Sequence, residues 1–192
     1  MYNSINLGGR QCIQDCNAIP CKSPKNQPIN NTDERKDRYS PMKAFLILED
    51  GTVFEGTSIG STREVISEIV FNTSMTGYLE VLTDPSYAGQ AVVMTYPLIG
   101  NYGICYEDME SDRPWPDGYI VRELSRIPSN FRSEDTIQNF LEKYDIPGIS
   151  GVDTRALTKI LREKGTMNGM ITTKQYDDLT DPITRMHAYT VT

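Results

Sequence analysis

The sequence predicts an α+β domain, with mostly antiparallel or mixed strands and two helices on one side. Three observations carry that expectation. Short apolar runs separated by turn residues fill the stretch from Lys43 to Glu123. Two segments with apolar residues at helical spacing follow, beginning near Ser133 and Asp153. Strands grouped before helices, rather than alternating with them, favour sheets packed together with helices to one side.

Taken in order, Lys43–Glu49 reads as a strand, and Asp50-Gly51 after it is a strong short hairpin signal. Thr52–Gly56 is the expected return strand. Glu68–Phe71 is a third strand, Val92–Tyr96 a fourth closed by Pro97, and Gly118–Glu123 a fifth. Between the last two, residues 101–117 are rich in Gly, Pro and acid and read as a surface crossing; Trp115 within it should cover a core edge, the alternative being contact with a partner. Ser133 can cap a helix running to Tyr144, because its hydroxyl accepts from the free amides of the first turn. Glu134 and Asp135 suit that helix's positive end, and Ile137, Phe140, Leu141 and Tyr144 share one face. Pro147 ends it, and Ile146–Ser150 is a short extended link. Asp153 can cap the second helix, with Leu157, Ile160 and Leu161 as its apolar face. Arg162 and Lys164 sit at its negative end and Gly165 is a left-handed stop. Asn168–Thr172 returns as a strand; residues 177–192 read as a linker or fraying end.

The chain is organised around residues 71–90, Phe-Asn-Thr-Ser-Met-Thr-Gly-Tyr-Leu-Glu-Val-Leu-Thr-Asp-Pro-Ser-Tyr-Ala-Gly-Gln. Gly77 permits backbone angles closed to other residues. Asp84-Pro85-Ser86 is a turn, since proline pre-sets one dihedral and Asp and Ser bond their own backbone. Tyr78–Leu82 between them reads as a short extended run. Hydroxyl-rich turns flanking strands suit a small polar ligand or a docked partner, and also suit two ordinary surface turns.

The chain's 192 residues and 38% hydrophobic content can build one core and are marginal for two. Its net charge of −7 with no basic stripe argues against nucleic acid as a partner. No apolar run reaches membrane-spanning length, and the first residues lack the basic start and apolar core of a secretory signal. The expected location is cytoplasmic, with reduced cysteines. Residues 1–41 hold four prolines, many Asn and Gln, and the charge run Asp33–Arg38; they read as a disordered extension. Cys12, Cys16 and Cys21 fall there without a nearby histidine, and are three thiols where zinc sites need four ligands.

Several motifs in register resemble the small subunit of glutamine-hydrolysing carbamoyl-phosphate synthetase. They are Phe71–Tyr78, Leu82–Tyr87, Thr95–Asn101, Ser129–Arg132, Asp153–Thr158 and Leu161–Gly165. The resemblance runs from about Met42 to Thr173 and covers only that family's amino-terminal domain. It implies three segments: an extension over 1–41, a compact β/β/α domain over 42–175, and a tail over 176–192 leading toward a missing class I glutamine amidotransferase domain. It implies a role as well. The family's small subunit supplies glutamine-derived ammonia to a large subunit for carbamoyl phosphate synthesis, serving arginine and pyrimidine biosynthesis. The large subunit would be the partner, and would bind the ATP and Mg; this chain would hold no cofactor.

The family's amide hydrolysis needs a cysteine in a Gly-x-Cys-x-Gly elbow, with a histidine and a glutamate in support. Gly103-Ile104-Cys105 begins like that elbow, but Tyr106-Glu107 follows where a glycine is needed. His187, the sole histidine, lies near the carboxyl end. The resemblance therefore implies that no catalytic residue is present and that this chain is inactive alone, as a truncated product, a split reading frame or an excised domain. One family position carries over: the serine of the Asp-Pro-Ser-Tyr turn, here Ser86, contributes to the glutamine site. A hydroxyl can donate to a carboxylate and accept from an ammonium. The alternative for Ser86 is bonding within its own turn; Ser74 and Thr76 are weaker candidates. Glu123, Asp153, Arg155 and Arg162 are candidates for ion pairs or for the large-subunit interface, or else solvated charges at helix or strand ends. Two other readings of the whole chain stand beside this one: a stand-alone binding or structural module, and a thiol enzyme built on Cys105.

Overall fold

A computed structural model of the chain describes residues 42–190. Its strands are β1 (Lys43–Leu48), β2 (Val53–Gly60), β3 (Val65–Asn72), β4 (Gln90–Met94), β5 (Leu98–Ile99), β6 (Gly118–Ile120), β7 (Glu123–Leu124), β8 (Pro147–Ser150) and β9 (Met167–Thr172). Its α-helices are α1 (Tyr78–Thr83), α2 (Ile137–Lys143), α3 (Thr154–Lys164) and α4 (Thr180–Ala188). The α+β class with mixed strands stands. Seven strands close into a barrel in the order β1-β2-β8-β6-β4-β3-β9, and β5 pairs with β7 apart from it.

Side-chain alternation along the strands builds two cores at once. Ala44, Leu46 and Leu48 of β1 face inward with Val65 and Ile69 of β3, Ala91 and Val93 of β4, Ile120 and Ile149. The alternate residues Val92, Met94 and Tyr119 face outward under α1 and α2, packing with Tyr78, Leu82, Phe140 and Leu141. Ile47 and Met170 face outward on another flank, under Met186 of α4. Leu157 and Leu161 of α3 join the inner cluster beside Val152 and Leu48. So α3 plugs the barrel where β8 finishes.

Strand direction fixes what lies at that end. β3 pairs parallel with β4, β4 with β6, and β6 with β8. All four therefore present their carboxyl ends to the same side, the side on which open α/β sheets place their ligand crevices.

The structure corrects several expectations. Tyr78–Leu82 is helical, not extended: Tyr78, Leu79, Val81 and Leu82 are all buried on one side of α1. The helix expected from Ser133 starts at Ile137, and Thr136 caps it by accepting from the Asn139 amide at 3.2 Å. Asp135 instead extends backbone pairing to Ile104. The strand expected over Gly118–Glu123 is broken at Val121, and its last residue belongs to the separate β5–β7 pair. The link at 146–150 is the barrel strand β8. The expected tail contains α4, whose Met186 is fully buried. The described residues thus hold four α-helices instead of two. The hairpin at Asp50-Gly51 forms, with Leu48 accepting from the Gly51 amide at 2.9 Å. Asp153 caps α3 as expected, accepting from the Arg155 and Ala156 amides at 3.1 Å each. The extension over 1–41, with Cys12, Cys16 and Cys21, lies outside the described residues. Among those described, no helix is long and apolar enough to cross a membrane.

Candidate functional site

The residues between β3 and β4 make a polar cavity of about 520 Å³, lined among others by Asn72, Ser74, Thr76, Glu80, Asp84 and Tyr87. It opens beside the carboxyl end of β3. Each wall has a local cause. Asn72 closes β3, accepts from the Ser74 amide at 2.7 Å and donates to the Tyr87 hydroxyl at 3.0 Å. Gly77 adopts a positive φ of 80°, which turns the chain directly into α1. Tyr102 reaches in from another loop, and its phenol oxygen accepts from the Gly77 and Tyr78 amides at 3.0 and 3.1 Å. That satisfies two otherwise open amides at the start of α1.

The far wall is the Asp84-Pro85-Ser86-Tyr87 turn, which folds into one turn of 3-10 helix. Asp84 accepts from the Ser86 amide at 2.8 Å. The amide and the hydroxyl of Ser86 together hold the Asp84 carboxyl below the usual carboxylate range. Thr83 ties this wall to residues 106–117: its hydroxyl accepts from the Glu110 amide at 2.9 Å, and its carbonyl accepts from the Ser111 hydroxyl at 2.5 Å. Glu110 thereby becomes a third carboxylate around the cavity, with Glu80 and Asp84. Trp115 is half-buried and donates to the same Ser111 hydroxyl at 2.8 Å, with the Arg113 guanidinium 4.0 Å above its ring.

The structure brings together Ser74, Thr76 and Asp84, named from sequence, with Asn72, Glu80 and Glu110, which sequence reasoning missed. Ser86 does not line the cavity itself; it is exposed beside Asp84, Pro85 and Tyr87, which do. Tertiary crossing alone delivers Glu110 and Tyr102, so no local signal marks them. Carboxylates and hydroxyls in this arrangement can accept from an ammonium group and donate to a carboxylate, the two ends of an amino acid.

Cys105 is buried, at 6% exposure. Gly103 before it has a φ of 71°, and a side chain there would collide with Ser133 Oγ and Ser133 Cβ. The Gly-Ile-Cys turn is therefore shaped by packing against residues 133–135, and a 3-10 turn, not an α-helix, follows it. His187 is exposed on α4, which packs on the Ile47–Met170 flank, whereas Ile104 belongs to the flank under α2. The fold does not join that thiol to that imidazole.

A barrel domain with a polar cavity beside the carboxyl end of a parallel strand is the class that fold and site define. The chain belongs to the carbamoyl-phosphate synthase small chain, CPSase domain family, whose model matches residues 46–171. A carbamoyl phosphate synthase small chain of Clostridium perfringens (strain 13 / Type A) is 60% identical over 130 residues, covering 68% of this chain and 37% of that protein. One from Oceanobacillus iheyensis is 56% identical over 136 residues, 71% of this chain and 37% of that one. A pyrimidine-specific small chain of Halalkalibacterium halodurans is 56% identical over 130 residues, 68% of this chain and 36% of its own length. The chain thus spans little more than a third of the curated relatives it matches.

Proposed function

We propose that this chain acts as the non-catalytic amino-terminal part of a glutamine-dependent carbamoyl-phosphate synthase small subunit. It docks the large subunit, which binds ATP and Mg, and it completes one side of a glutamine site whose catalytic residues lie on other sequence. The family membership of residues 46–171 carries this reading. The cavity beside the Ser86 turn supports it, because its carboxylates and hydroxyls match the polar ends of an amino acid. Ser86 is exposed at the edge of that cavity. Its hydroxyl bonds to Asp84 within the turn and would exchange that bond for one to a ligand held from the opposite side. The product, carbamoyl phosphate, would feed arginine and pyrimidine synthesis; the pyrimidine-specific name of one relative fits the second of these.

The test is ammonia release from glutamine by the chain alone and by its Cys105→Ser variant. Neither should exceed background. Turnover by the unaltered chain that Cys105→Ser abolishes would replace this reading with a thiol hydrolase.

A further inference from the structure

We propose that a groove along α3 seats an acidic, extended segment of a protein partner. The inference rests on the subunit reading above and assigns that segment to the large subunit.

The groove lies at the carboxyl ends of the parallel strands, on the face that α3 crosses. Thr73 follows β3, Thr95 follows β4, Arg122 follows β6 and Asp153 follows β8, and all four line it. Its volume is about 770 Å³. Four cations, Arg122, Arg155, Lys159 and Arg162, face one carboxylate, Asp153. The whole chain is acidic, at −7, so this concentration of positive charge runs against its composition.

Among the described residues these cations have little to neutralise them. Lys159 meets Glu163 at 3.8 Å with both side chains mostly exposed, a pair of small value. Arg162 lies 5.7 Å from the Phe71 ring centroid, a contact that holds the side chain without cancelling its charge. Arg122 and Arg155 are exposed. Asp153 is already committed to the first amides of α3. That last point decides the kind of ligand. The helix end where a small anion would bind is filled by the cap, and the free charge lies further along the helix.

Arg155, Lys159 and Arg162 are spaced by four and three residues and so form one stripe on α3. The stripe is roughly 10 Å long at ~1.5 Å of rise per residue. Alternate side chains of an extended segment repeat at about 7 Å, so two or three of its carboxylates can meet the stripe at once. A charged, solvated surface of this type sets association rate and register more than it buries area.

The experiment measures affinity of the 192-residue chain for the large subunit at low and moderate salt. The test variant combines Arg155→Gln, Lys159→Gln and Arg162→Gln. The control is Lys174→Gln, past the end of β9 that pairs with the start of β3, and so roughly 25 Å from the groove at ~3.3 Å per strand residue. The unaltered chain should bind, more weakly as salt rises. The triple variant should lose roughly tenfold in affinity, as three exposed pairs would give. The control should bind as the unaltered chain does. The single variants should show the same order with smaller losses, which keeps the test intact if the triple variant folds poorly. Binding unchanged in every α3 variant overturns the docking groove and leaves the subunit reading standing. No binding by the unaltered chain overturns both. Inorganic phosphate that stabilises the unaltered chain but not the triple variant, with subunit affinity equal in the two, makes this a small-anion site and also overturns the proposal.

Discussion

Tyr102 clamps Tyr78 twice. Their rings stack at 4.0 Å with an interplanar angle of 19°, and the Tyr102 phenol oxygen accepts from the Tyr78 amide. The Tyr78 hydroxyl in turn donates to the Gly103 carbonyl at 2.6 Å. Burial pushes both phenols up from their ordinary value, so neither ionises in the physiological range. This clamp joins the cavity wall to the Gly103 turn. Replacing Tyr102 by Phe keeps the stack and orphans the Gly77 and Tyr78 amides. The expected loss is about 1–3 kcal/mol of stability, read from the urea midpoint of the Tyr102→Phe variant.

The helix α4 is a structural member of the domain, although its sequence resembles a tail. Met186 is fully exposed to the core and not to solvent: it packs with Ile47 and Met170. Asn168 of β9 donates to the Met186 carbonyl at 3.0 Å and fixes the helix end. Met186→Ala should cost about 2–5 kcal/mol, seen in thermal unfolding. An unchanged midpoint would mean that α4 does not dock in solution.

A second tie holds α4, and it is sensitive to acid. Glu64 accepts from Arg185 at 2.8 Å, from Tyr176 at 2.9 Å and from Thr172 at 3.0 Å. Burial pushes the Glu64 carboxyl up, but Arg185 and the two hydroxyls outweigh it, leaving it below its ordinary 4.5. Folding therefore favours the ionised form. The stability this adds is complete above about pH 5 and is lost as pH falls through the depressed folded value. Glu64→Gln should flatten that acid-side decline when urea midpoints are compared between about pH 6 and pH 3.

Ser86 is exposed; the hydrogen bond from its backbone amide to Asp84 needs no side chain, and the bond from its hydroxyl to Asp84 lies at the surface, where water can replace it. Ser86→Ala should leave stability within about 0.5 kcal/mol. The same change placed in a complete small subunit should weaken glutamine use. A steady-state comparison in which KM for glutamine does not move would remove Ser86 from the site.

The strands were legible because their apolar runs end in turn residues, as at Asp50-Gly51. Helix α3 was legible because cap, apolar face and stop all agree. Helix α1 was not. It has only six residues, and Tyr78 and Val81 favour strands in isolation. Its buried set at 78, 79, 81 and 82 does carry helical spacing, which a longer window would have revealed. Helix α4 was hidden by Asp181-Pro182. That pair signals a helix start as readily as a break, since proline in a first turn has no amide to satisfy. Barrel closure could not be read at all, because β8 is defined by its neighbours β2 and β6 and not by its own four residues. The candidate site was half visible. The Ser86 turn and the hydroxyls at Ser74 and Thr76 lie in one segment, whereas Tyr102 and Glu110 arrive through the tertiary fold.

Sedimentation velocity of the chain mixed with the carbamoyl-phosphate synthase large subunit bears most directly on what this domain is for. At micromolar concentrations the two should travel together in one faster boundary. Two boundaries, each at the rate of the isolated protein, would contradict a docking role.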